Sequence, residues 1–126
     1  MADYFENLPK NVKSILESKK GEDRIEFIYS IRKDKTLQQF EKNKIISAFI
    51  IHKMNDIGCF RRKGLAFSWR YVDVECGIGE TFKITTDDND LGLRLYIITY
   101  YGLNPTEPEY EYLIHEMQGY ARTCVF

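Results

Sequence analysis

From Ile45 to Ile51 the chain reads IISAFII, seven positions of which only Ser47 is polar. Wound at 3.6 residues per turn, Ile45, Ile46, Ala48, Phe49, Ile50 and Ile51 occupy most of the helix circumference, and a helix that is apolar on more than one side belongs in an interior. The fold must therefore be built around this segment. Leu37, Phe40, Met54 and Ile57 continue the spacing, Thr36 and Gln39 have the form of a capping box, and Gly58 supplies a stop. The pattern predicts a long central helix ending before Gly58.

Shorter helical patterns precede it. Pro9 suits a first turn, Val12, Ile15 and Leu16 form a narrow stripe, and Gly21 follows two lysines, which predicts a helix over about 9–20. Residues 25–31 fit two periods. Ile25, Ile28 and Tyr29 suit a helix, whereas Ile25, Phe27, Tyr29 and Ile31 alternate like a strand; the helical reading is preferred.

After residue 58 the texture changes to β-branched and aromatic runs separated by Gly and Asp turns. Leu65, Phe67, Trp69 and Tyr71 alternate, and Val72, Val74 and Cys76 take the opposite phase, as across a bulge. A second strand is expected over about Thr81 to Thr86. Leu91 to Tyr101, apolar on both faces, is expected to be the central strand of an antiparallel meander. Thr106, Pro108 and Glu109 then open a closing helix with the stripe Tyr110, Leu113, Ile114, Met117 and Ala121. Together these elements predict one α+β domain spanning residues 1–126: helical segments, a three-stranded antiparallel β-meander, and a C-terminal helix packed on the sheet. A chain of 126 residues buries roughly two-thirds of its unfolded surface, enough for one core.

No apolar run approaches the ~20 residues that cross a bilayer. The acidic N-terminus, with Asp3 and Glu6, lacks the basic start of an export signal. Three widely spaced cysteines, Cys59, Cys76 and Cys124, form no CxxC pair and suggest free thiols in a reducing compartment. A cytoplasmic protein with no membrane partner is expected.

Catalytic chemistry has little to work with. His52, His115 and the cysteines stand at no metal-ligand spacing, so neither a metal nor a cofactor is expected. Ser68 has no nucleophile elbow around it, and CGIGET from Cys76 to Thr81 reads as a hairpin turn because no GK[ST] is present. Asp73 and Glu75, with Glu80 and Lys83, could serve a strand-based Mg²⁺ nuclease. Their spacing, however, departs from the acid, one residue, lysine pattern that restriction-type nucleases use.

Charge is unevenly distributed. Residues 1–63 carry 14 Lys/Arg against 9 Asp/Glu, and residues 64–126 carry 4 against 10, so the net charge of −1 is a cancellation. The acidic half concentrates at Asp87, Asp88 and Asp90 and at Glu109, Glu111 and Glu116, with Glu107 beside them and Tyr112 offering an aromatic anchor one step off the core stripe. Such a surface suits a protein partner with a basic surface, such as a nucleic-acid-binding protein or a nuclease. The expected function is that of a small non-enzymatic binding protein acting by stoichiometric occlusion of a macromolecule, of the inhibitor, immunity or anti-defence type. A competing reading is a nucleic-acid-binding domain that grips phosphates with Arg61, Arg62 and Lys63 beside Lys42, Lys44 and Lys53. The sequence pI near 6.1 weighs against it.

Overall fold

The computed structural model describes residues 8–18, 23–56, 61–62, 71–75, 81–85 and 90–123. Helices dominate: α1 (Lys10–Ser18), α2 (Arg24–Arg32), α3 (Gln39–Asp56), α4 (Leu91–Tyr101) and α5 (Pro108–Thr123). Among the described residues, extended structure comprises a short antiparallel pair, β2 (Tyr71–Glu75) and β3 (Thr81–Thr85), with the two-residue β1 (Arg61–Arg62) at the edge of β2.

The expected α+β class and its three-stranded meander are thereby overturned. The segment assigned to the central strand, Leu91 to Tyr101, is helix α4. Its buried residues are Leu93, Tyr96, Ile97 and Tyr101, at helical steps of three and four. Two end signals decide the matter. Asp90 is the N-cap, its carboxylate accepting the Leu93 N–H at 3.2 Å. Gly102 closes the helix at φ +66° and donates its N–H to the Ile98 carbonyl, a left-handed cap that a Cβ would strain. An apolar run of this kind is compatible with strand and helix alike, and length and caps arbitrate. Of the first expected strand, Tyr71–Glu75 is extended, and its residues 65–70 and Cys76 lie outside the described residues.

Helix α3 is the central element, with Ile45 through Ile51 and Met54 all buried. Its cap differs from the expected box. The Gln38 N–H is accepted by the Glu41 carboxylate at 3.1 Å, while Thr36 turns back to Asp34, donating its hydroxyl at 2.6 Å and its N–H at 2.8 Å. Those two bonds hold the Asp34 carboxyl below its usual value. Residues 25–31 are helical: Asp23 caps α2 through the Ile25 and Glu26 N–H groups. Phe27, Ile28 and Ile31 point inward while Ile25 and Tyr29 are exposed, a division that no strand could produce.

The core joins all five helices and β3. An aromatic chain runs through it, from Phe27 stacked on Phe49 at 4.2 Å, to Tyr101 at 6.5 Å, to Tyr96 at 6.1 Å and on to Phe82 at 5.5 Å. It ties α2, α3, α4 and β3 together with edge and offset contacts worth about 0.5–1.5 kcal/mol each beyond area burial. Helix α5 packs along α3, where the Tyr120 hydroxyl donates to Asn55 Oδ1 at 2.9 Å, and reaches β3 where Gln118 Nε2 donates to the Ile84 carbonyl at 3.3 Å. Among the described residues no helix is long and apolar enough to cross a membrane.

Candidate partner-binding face

Helix α5 starts at Pro108, where a missing N–H costs nothing, and its inward stripe is Tyr110, Leu113, Ile114, Met117, Tyr120 and Ala121. Once that stripe is committed to the core, the helical period sends Glu111, His115 and Gly119 to solvent and leaves Tyr112 and Glu116 half-buried beside them. From Pro108 to Ala121 the helix carries three glutamates and no lysine or arginine. Its outer face carries two of these carboxylates, Glu111 and Glu116, with Tyr112 and His115 beside them. Tyr112 is tied to Glu116, one turn on. Burial first, and then the adjoining Glu116 carboxylate to which it hydrogen-bonds, push the Tyr112 hydroxyl up to about 12.

The structure separates the acidic residues that sequence reasoning grouped. Glu109 turns inward, only 3 % exposed, with Oε1 3.9 Å from Arg32 Nε, and Arg32 Nη2 lies 2.5 Å from Glu107 Oε2. Arg32 thus clamps the first turn of α5 to the end of α2, and Glu109 is removed from the surface. Asp90 is committed to the cap of α4. Asp87 and Asp88 lie outside the described residues. What remains together is Glu111, Tyr112 and Glu116.

The basic candidates are dispersed. Lys42 donates to the Arg32 carbonyl at 2.7 Å, and Lys44 and Lys53 lie over the rings of Phe40 and Phe49. Arg61 and Arg62 form β1, and Lys63 lies outside the described residues. For the nuclease residues, the register sets Asp73 opposite Lys83 and Glu75 opposite Thr81 on β2 and β3, while Glu80 lies outside the described residues. The three cysteines lie outside them too.

Two features escaped sequence reasoning. One is a groove between α1 and α3 of about 220 Å³, floored by Leu16 and Phe49 and rimmed by Glu17, His52, Lys53 and Asp56. There His52 is exposed at the surface, with Nδ1 3.3 Å from Asp56 Oδ2. The groove is smaller than the ~300 Å³ at which clefts for drug-sized ligands begin. The other is the exposed apolar side of α4, formed by Leu91 and Leu95, which a strand over Leu91–Tyr101 would not have. Among the described residues no group of three His, Cys, Asp or Glu side chains is placed to hold a metal ion. Compared with family models, curated proteins and solved structures, the chain matches none of them.

Proposed function

We propose that this is a small binding protein that acts by occupying a macromolecular partner with a basic surface, in the manner of inhibitors, immunity proteins and anti-defence proteins. The observation that supports this reading is the outer face of α5, where Glu111, Tyr112 and Glu116 lie together with no cation on the helix between Pro108 and Ala121. Carboxylates on a rigid helix steer a positively charged partner toward the site, and a tyrosine supplies contact area at low entropic cost. The protein's share of the work is recognition, and its effect on the partner is steric.

The test is affinity capture from the cell that makes the protein, with the wild-type chain and the Glu111→Lys/Glu116→Lys variant side by side. The reading predicts a basic companion in stoichiometric amount on the wild type, lost from the variant. Identical companions on both, or none on either, would refute it.

A further inference from the structure

Helix α4 contains no acidic residue and a single arginine, and its composition is that of a helix buried on every side. Only one side is covered. Leu91 and Leu95 are 70 % and 57 % exposed, and Ile98 continues their row half-buried. The row ends at Gly102, where an added Cβ would stand 3.1 Å from Ile25 Cγ2. The apolar surface therefore passes directly from α4 to the exposed side of α2, to Ile25 and, one turn further, to Tyr29 at 58 % exposed. Together these exposed side chains form one apolar strip, and contiguous apolar patches of roughly a few hundred Å² on a monomer mark interaction sites.

We propose that this strip is the interface of a two-fold homodimer. The row from Leu91 through Leu95 and Ile98 to Thr99 carries no charge of its own; half-buried Arg94 stands beside it, and Arg24 lies 5.3 Å from the Tyr100 ring centroid at its junction with α2. The charges that flank the α2 part are self-complementary. Glu26 and Lys33 are both exposed, three residues before and four after Tyr29, on the same side of the helix. The Lys33 ammonium already lies 4.8 Å from the Tyr29 ring centroid. An axis passing near Tyr29 sets the two α2 helices antiparallel, with Glu26 of each copy facing Lys33 of the other. Opposite charges placed about a central aromatic satisfy a two-fold, because a contact from residue i to residue j is made twice. That pattern selects a second copy of the chain over an unrelated apolar partner. The inference is independent of the α5 face, which a dimer formed through α2 and α4 would display twice.

Sedimentation velocity over a concentration series from low micromolar to several hundred micromolar tests it. The wild type is expected to pass from monomer to dimer, and Leu95→Glu to remain monomeric at every concentration with an unchanged far-ultraviolet spectrum. Glu26→Lys and Lys33→Glu should each weaken the dimer by about tenfold, and the two combined in one chain should restore it, since the pair is then exchanged rather than broken. A monomeric wild type throughout, a Leu95→Glu chain that dimerises normally, or a double exchange no better than either single one would overturn the inference. Capture of a basic companion by the monomeric Leu95→Glu chain would separate this result from the binding function.

Discussion

Arg32 Nε lies 3.9 Å from Oε1 of Glu109, and through this pair the last turn of α2 holds the first turn of α5. Glu109 is buried, and its Oε2 has no hydrogen-bond partner in the structure, so the carboxylate depends on Arg32 for compensation. Removing one member of a buried pair typically costs roughly 3–5 kcal/mol, and the partial exposure of Arg32 lowers that here. Arg32→Ala is expected to destabilise the protein by about 2 kcal/mol in chemical denaturation. Glu109→Gln keeps the shape without the charge and should cost less than ~1 kcal/mol.

Helix α4 makes its own prediction, because its ends carry information that a strand would not use. Asp90→Ala removes a side-chain cap and should cost about 1 kcal/mol. Gly102→Ala forces a Cβ into a left-handed conformation and against Ile25, and should cost more than ~1 kcal/mol. Thermal melts of the two variants check this. Unchanged melting temperatures in both would contradict the helical assignment of residues 91–101.

Alkaline stability follows from the tyrosines. Burial raises Tyr101, Tyr110 and Tyr112, the last two to about 12, and the unfolded chain releases the same protons near 10. Because the folded values lie above the unfolded ones, the stabilisation is fully present below pH ~10 and is lost as pH rises through the folded values. Denaturation midpoints measured from neutral pH upward should hold to about pH 10 and then fall, with the share of tyrosinate absorbance that belongs to Tyr101, Tyr110 and Tyr112 appearing as the protein unfolds. Tyr112→Phe removes one of these groups and should flatten the fall.

Tyr112 also has a kinetic role in the proposed complex. Tyr112→Ala should speed dissociation of the captured partner, with a loss of about 1–2 kcal/mol in affinity. Tyr112→Phe, which keeps the ring but loses the bond to Glu116, should cost less. Equal losses would assign the effect to the hydroxyl and not to aromatic contact.

Much of this architecture could be read from spacing alone, and where it could not, the reason is physical. The stripe of α5 has one apolar side, so its period declares both the helix and the inward positions. The run in α3 is apolar nearly all round, and its length and centrality were still evident. Leu91–Tyr101 is also apolar nearly all round, but it is rich in aromatic and β-branched residues, so periodicity had nothing to contrast and propensity pointed to a strand. Asp90 and Gly102 held the answer, as a cap before the run and a stop after it. In the candidate site, the exposure of Glu111 follows from the helical period, while Tyr112 and Glu116 beside it are half-buried. Glu109 did not, since its inward turn is set by Arg32, which comes from a different helix and is invisible to local pattern. The exposed strip on α4 could not be seen until the segment was known to be helical.

The central claim is that the carboxylates of α5 steer a basic partner, and the association rate measured against salt tests it most directly. Because exposed charges act mainly on the encounter and are screened within ~10 Å at 0.1 M salt, the wild-type rate should fall steeply as salt is added. Glu111→Lys/Glu116→Lys should associate at least about tenfold more slowly at low salt, with the two rates converging at high salt. Equal association rates for the two folded proteins at every salt concentration would contradict the account.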